Sequence, residues 1–442
     1  MQREKGGHSM IRILAPLISS RQLLRKAKVR GAFNILFSLM LTIACPIVIW
    51  GAEDFARPKV RAITAFIRLD RNNYEAQIQD TLRMLRRAKS AMEQGGYEVE
   101  SIRITTQPFP EYIRGLSKDQ ALAFFRAYDD LAVKEAFDAN IGPAMLHDND
   151  DTAPAELLGE ILSTTKTLGA SLHVADEDGV HSNSVRAAAK MVKYVEEHSP
   201  HSQGNFNFGA AAMVAPYGPF YPASYHTGAG HQFAVGLESA NVVQRVFAAT
   251  SGDPKAARAQ LLKALSEHAL AVEAIARRVE KETGWTYMGL DPTPAPLMDV
   301  SIGDAIEKFT GAKFGSSGTL TAAAIITQAV RDVPVKQIGY SGLMLPVLED
   351  KLLARRWSEG TYGIDALLAY SSVCATGLDT VPLPGDVTED QIARILGDMA
   401  SLAFKWHKQL AARLQPVFGK KPGEQTEFQD PFLANATLQP LP

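Results

Sequence analysis

From Lys59 to Leu69 the chain reads KVRAITAFIRL, a run rich in β-branched and aromatic residues that predicts a first strand. Apolar residues then return at helical spacing from about Tyr74 to Gln94, and YEVESIRITT at 97–106 restores the strand pattern after Gly95-Gly96. Strand, helix, strand in that order predicts a βαβ unit in a mainly parallel sheet. Residues 117–140 are helical in pattern, and 155–174 predict a helix leading into a short strand. SVRAAAKMVKYVEEHS starts another helix, and FNFGAAAMVA at 206–215 reads as a buried strand. A Gly-, Pro- and Tyr-rich loop follows, then a long helix from about Asp253 to Thr283. PLMDVSIGDAIEKFTG, SSGTLTAAAIITQAVRDV, YSGLMLPVLEDKLLARRWSEG and GIDALLAYSSV predict four more helical stretches broken by short Gly-rich turns. No repeat or Pro/Gly/Ser linker divides residues 56–442, so the pattern predicts one large α/β domain.

The first 55 residues follow a different pattern. RQLLRKAKVR carries five positive charges, and residues 31–52 carry none. A basic flank before an apolar run predicts a signal peptide or a membrane anchor, and hence a protein that is exported or held on the periplasmic side. The alternatives are a true start near Met40, with a cytoplasmic protein, or a buried helix over 35–50.

The first 52 residues hold eight Lys or Arg and one Glu, so totals of 46 basic and 48 acidic residues leave 38 against 47, about −9, for the remainder. That balance excludes a duplex-binding surface and predicts no nucleic-acid partner. The two cysteines, Cys45 and Cys374, exclude a disulfide framework.

Four segments carry candidate chemistry. NFNFGAAAMVAPYGPFYPASYHTGAGHQFAVGLESA (205–240) sets Tyr217, Tyr221, Tyr225, His226, His231 and Glu238 in a frame of glycines and prolines. His226 is the candidate base, Tyr225 a substrate contact, and His231 with Glu238 candidate metal ligands, although their spacing matches no diagnostic set. YMGLDPTPAPLMDVSIGDAIE adds Asp291 and Asp299 as ligands of a substrate or a divalent metal, while Ser301 and Asp304 read as a capping box. In KFGSSGTLTAAAII, residues Ser316, Ser317 and Thr319 precede a helix and could hold an anion, or simply cap it. VCATGLDTVPLPGD places Cys374 and Asp379 in a stiff turn. Neighbouring carboxylates disfavour a nucleophilic thiolate at Cys374, which leaves Asp379 the stronger catalytic candidate. In the tail, AARLQPVFGKKPG offers Arg413 as an anion clamp, against a solvated basic turn.

NFNFGAAAMVAPYGPFYPASY, LDPTPAP, FGSSGTLTAAAI, GYSGLMLPVLED and VCATGLDTVPLPGD, in that order, resemble the uncharacterised family called "domain of unknown function 711", over roughly residues 59–442. The resemblance implies a fold similar to the large α/β barrel of pyruvate formate-lyase and related glycyl radical enzymes, and a homo-oligomer. It implies no established reaction. Such enzymes are similar in pairing a barrel cysteine with a radical glycine in an Arg-Val-x-Gly-Tyr-like segment near the C-terminus. Here the tail LQPVFGKKPGEQTEFQDPFLANATL lacks that segment, and Gly339-Tyr340 precedes the cysteine.

The expected protein is therefore an α/β barrel with a polar pocket for a small polar or carboxylated molecule, working by acid–base or divalent-metal-assisted chemistry. The rival expectation is a non-catalytic ligand-binding or structural protein of the cell envelope that keeps the barrel.

Overall fold

A computed structural model describes residues 57–441. The basic flank and apolar run, with the export, anchoring and start-site expectations placed on them, lie outside the described residues.

The predicted βαβ unit is present: β1 (Lys59–Ile67) and β2 (Val99–Thr106) pair in parallel across α1 (Tyr74–Gln94). After α2 (Phe109–Tyr112), α3 (Lys118–Glu135) starts on a capping box in which Ser117 and Gln120 satisfy each other's backbone N–H groups. The sequence pattern carries this helix to residue 140, but Ala136 turns left-handed and β3 (Asp138–Pro143) begins. DANIGP is too short and too mixed in polarity for periodicity to separate it from the end of a helix, which is why the pattern missed it.

The chain continues through α4 (Ala153–Thr164), β4 (Leu168–Asp176), the short β5 (Gly179–Val180) and α5 (Ser182–His198) to β6 (Phe208–Ala212). Next come β7 (Gly230–Glu238), α6 (Ala240–Ala249), α7 (Pro254–Thr283) and β8 (Thr286–Asp291). The last part comprises α8 (Ile302–Thr310), α9 (Thr319–Arg331), α10 (Lys351–Ser358), α11 (Ile364–Ser371), β9 (Gly377–Pro384), α12 (Glu389–Lys405) and β10 (Leu410–Val417).

The strands form one ten-stranded sheet in the order β8-β7-β1-β2-β3-β4-β6-β10-β9, with β5 on β4. β1, β2, β3, β4 and β6 are mutually parallel, and the pairs β7–β8 and β9–β10 run against them on either side. The end strands β8 and β9 do not pair with each other. Instead one extended stretch, residues 336–348, bonds to both: Ile338 N donates to Leu290 O of β8 at 3.2 Å, and Val347 N donates to Asp379 O of β9 at 2.9 Å.

That stretch corrects the helix expected over YSGLMLPVLED. Pro346 cannot donate a helical bond, and the Asp350 carboxylate accepts from Leu352 N and Leu353 N, so α10 starts only at Lys351. Two further expectations change. The Gly/Tyr-rich loop ends in a real strand, β7, and the supposed basic tail turn at Arg413 is strand β10, inserted between β6 and β9.

VCATGLDTVPLPGD is likewise a strand, since all eight residues of β9 are buried. Its Pro382 and Pro384 are tolerated because β9 ends the sheet and needs ladder partners only from β10. Gly377 is required where β9 begins. Its φ is +95°, and a Cβ there would lie 2.5 Å from Ala411 O of β10. Gly377→Ala is expected to lower the unfolding free energy by at least roughly 1–3 kcal/mol, measured by denaturant titration. An unchanged midpoint would show that the β9–β10 start can relax.

Candidate active site

Six charged side chains from six separate segments form one alternating chain, and all but Glu238 line a cavity of about 350 Å³. Arg61 on β1 donates through Nη1 to Glu238 on β7 at 2.8 Å and to Glu100 on β2 at 3.0 Å, and through Nη2 to Glu349 at 3.2 Å. Glu349, just beyond the bridging stretch, also accepts from Arg413 Nη2. Arg413 on β10 then donates through Nε to Asp379 on β9 at 2.6 Å. Arg61 and Arg413 are each only 12% exposed, and Glu349 6%. Burial alone would lower the pKa of either guanidinium, yet the surrounding carboxylates outweigh it and raise both. Glu349 thus links β1 to β9 and β10, so one network spans strands from both ends of the sheet.

At one end of the chain two carboxyls, Glu100 and Glu238, share Arg61 Nη1 and lie close enough for each to shift the other's protonation. A single proton between them relieves the repulsion of two buried carboxylates. Burial, and then the bond to Glu100, pushes Glu238 up to about 7. Burial would also raise Glu100, but the bond from Glu238 and the charges of Arg61 and Arg103 hold it below the usual carboxylate range. The proton therefore rests on Glu238, which is 5% exposed, while Glu100 lines the cavity.

Arg103, on β2, is the least compensated of the arginines in the wall. Its Nε donates to Ser101 Oγ at 2.9 Å, its carboxylate partner Asp138 stands 3.5 Å away and is 47% exposed, and its guanidinium lies 4.9 Å over the Tyr221 ring. Burial lowers its pKa. Tyr221 is itself fixed, donating its hydroxyl to Ile104 O at 2.7 Å. The Pro-rich loop that carries it is pinned to the sheet, with Pro219 O and Pro222 O accepting from Thr64 Oγ1 and Asn140 Nδ2 at 2.8 and 2.6 Å. Phe206, Phe220, Tyr340 and Met344 give the cavity an apolar side.

The family described as "Uncharacterised ACR (DUF711)" matches residues 54–429. The chain belongs to this family. Among its relatives, a "UPF0210 protein" of Pyrobaculum islandicum is 30% identical over 370 residues, covering 79% of this chain and 81% of that one. A "UPF0210 protein" of Desulforudis audaxviator is 28% identical over 353 residues (75% and 77% covered), and one of Oenococcus oeni 26% over 361 (78% and 80%). Among solved structures, the anaerobic ribonucleotide reductase of Thermotoga maritima in complex with dATP and CTP aligns over 80% of this chain and 75% of that one, at 9% identity. Its TM-score of 0.38 is too low to bear on chemistry. No specific function is assigned to the family.

Of the residues singled out in this family member's sequence, Asp379, Arg413 and Glu238 come together in the cavity network, each with a partner the sequence did not reveal. The others do not join them. His226 is fully buried, and its Nε2 donates to Ile67 O at 2.6 Å; burial lowers its pKa, and no carboxylate is in bonding reach. Tyr225 donates to Val214 O at 3.1 Å and packs edge-on to His173. Cys374 is a buried, free thiol in the apolar core. Ser316 and Ser317 are exposed before α9, whose N-cap is Gly318 with no side-chain cap bond, and Thr319 Oγ1 accepts from Gly315 N in the preceding turn.

The metal set expected from Asp291, Asp299, His231 and Glu238 is not assembled. Asp291 is saturated by Thr293 Oγ1 and by the backbone N–H groups of Thr293, Tyr340 and Ser341, and so anchors the bridging stretch. Asp299 is 83% exposed and pairs with Lys351, while His231 stacks on Trp285 at 4.8 Å. Among the described residues, no group of three or more His, Cys, Asp or Glu could hold a metal ion.

Arg61, Glu100, Arg103 and Glu349 escaped the sequence reading. A signal was available: KVRAITAF and YEVESIRITT place charges inside strands of a sheet that the βαβ order predicts to be buried on both faces. A charge there is costly unless it is paired or functional.

Proposed function

We propose that the cavity is the active site of an acid–base enzyme whose substrate is a small carboxylated molecule. The supporting observation is the Glu100–Glu238 pair: a carboxylate facing the cavity, backed by a carboxyl whose proton is exchangeable near pH 7. General acid–base catalysis is most effective when the catalytic pKa lies near the working pH, and paired carboxyls with divergent pKa values are how proteins arrange this. In this reading the substrate carboxylate pairs with Arg103, stacked on Tyr221, and its apolar part rests against Phe206, Phe220 and Met344. Glu100 takes or returns the proton, and Glu238 serves as its reservoir. The volume of about 350 Å³ lies at the small end of the usual range for small-molecule sites.

Two expectations from the sequence stand here as proposals only. The basic-then-apolar amino terminus supports export or anchoring, and the family resemblance supports a homo-oligomer. Among the described residues no helix is long and apolar enough to cross a membrane.

Small mono- and dicarboxylates should raise the midpoint of thermal unfolding of the full chain, and Arg103→Ala should remove that shift. In deuterated water, NMR of the bound acids should show hydrogen exchange or turnover that Glu100→Gln abolishes without abolishing binding. Binding without any exchange would favour the non-catalytic alternative, and failure of every carboxylate to bind would remove the substrate class.

A further inference from the structure

A second cavity, of about 610 Å³, lies on the other side of the bridging stretch and shares Tyr340 with the first. Its lining includes Arg331, His407 and Lys408, and no carboxylate. Arg331 ends α9 exposed, with no ion-pair partner among the described residues. Lys408 follows α12, and its Nζ donates to Ser371 O at 2.8 Å. Burial, together with the nearby positive charge of Arg331, lowers its pKa, while only the Cys374 thiol acts the other way. Two like charges therefore line one concavity, with the Ser371 carbonyl as the neutral acceptor of Lys408. The Asp291 carboxylate accepts from Tyr340 N and Ser341 N of the lining and is saturated there, while exposed Glu177 lies 3.6 Å from exposed His407 Nδ1.

The wall is organised rather than incidental. Gln409 donates to Gly339 O at 3.0 Å and accepts from Ala215 N at 3.2 Å, and Gln337 Nε2 donates to three carbonyls at the end of α9. These bonds hold the floor, and Arg331 and Lys408 both line the cavity, Lys408 with its Nζ on Ser371 O. At the rim, Trp406 exposes 62% of its surface, an expensive position for an indole unless something planar covers it.

We infer that this cavity is a binding site for a phosphate-class anion carrying a flat ring, with the anion held by Arg331 and Lys408 and the ring stacked on Trp406. Arg331 suits a phosphate because its planar fork can donate twice, and Lys408 adds a point charge. The site is independent of the acid–base cavity and uses none of its charged residues.

Phenyl phosphate and inorganic pyrophosphate, titrated separately into the full chain at low ionic strength by calorimetry, should each bind at one site. Phenyl phosphate should also change the tryptophan fluorescence through Trp406, the exposed indole of the lining. Arg331→Ala, a surface change, should weaken both ligands roughly tenfold. Lys408→Gln should do the same, and Trp406→Phe should remove the optical signal while keeping pyrophosphate binding. Arg103→Ala should leave all of this unchanged. Equal affinity in wild type and the Arg331→Ala/Lys408→Gln double variant, a signal that survives in Trp406→Phe, or a response that tracks chloride equally well would each overturn the site.

Discussion

Glu349→Ala should lower the unfolding free energy by about 3–5 kcal/mol, a large fraction of the stability of an ordinary domain. The carboxylate accepts from both Arg61 and Arg413, so its loss takes a partner from two buried guanidiniums at once. It leaves three carboxyl groups, Glu100, Glu238 and Asp379, to compensate them without the link between the two halves of the network. Desolvation of a charge is tolerated only when a partner stands against it. Asp299→Ala is the matching control, because Asp299 also bridges a cation, Lys351, but both side chains are largely in water. That pair should contribute no more than about 1 kcal/mol. Denaturant titration of the two variants separates buried linkage from surface decoration, and a double-mutant cycle between Glu349 and Arg413 should show coupling of about 0.5–3 kcal/mol. Equal, small effects from both variants would mean that water reaches the network and that Glu349 does not tie β1 to β9 and β10.

Glu238→Gln should change the pH dependence of stability in a defined window. The native carboxyl is raised to about 7 from an ordinary value of 4.5. Between these values the folded chain keeps a proton that the unfolded chain has released. The contribution of this group is therefore fully present below about pH 4.5 and is lost as pH rises through 7. Glu100, depressed in the fold, acts in the opposite sense and in a different window: its contribution is present above 4.5 and lost at more acid pH. Replacing Glu238 should flatten the decline by up to about 1.4 kcal/mol per pH unit in mid-window, the value of one linked proton. Glu196, also raised to about 7 by burial, remains in the variant and leaves a residual slope of the same sign. Unfolding curves of both proteins across this range test the sign directly. Parallel curves would place the proton elsewhere.

Much of the first half of the fold is legible in the sequence because its helices are long and amphipathic. α1 and α7 fall close to the limits that their apolar spacing predicts. The missed or misassigned pieces are short strands, β3, β7, β8, β9 and β10, and the extended stretch before α10, where propensity is weak and pairing with distant segments decides. β9 shows the reason clearly. Its two prolines argue for a turn until its place at the end of the sheet is known, and that place depends on β10, more than twenty residues further on.

The candidate site divides the same way. Asp379 stood out as a carboxylate held in a stiff turn between Gly377 and Pro382, and its partner, Arg413, as a cation of the basic, Pro- and Gly-containing tail. Neither observation revealed that the two meet at 2.6 Å, since only the β9–β10 pairing brings them together. Glu100 and Arg103 were hidden inside a good strand pattern. His226, conspicuous among tyrosines and glycines, turned out to hold the Pro-rich loop to the end of β1 through Ile67 O. A polar side chain in a rigid loop serves structure or chemistry with the same local sequence, and only its three-dimensional partners distinguish the two.

The shared proton of Glu100 and Glu238 is the centre of this account, and difference infrared spectroscopy between wild type and Glu238→Gln observes it directly. A protonated-carboxyl C=O band should be present in wild type on the acid side, disappear with a midpoint of about 7, and be missing from the variant. Identical spectra from the two proteins across that range would contradict a proton held at Glu238, and with it the acid–base role of the cavity.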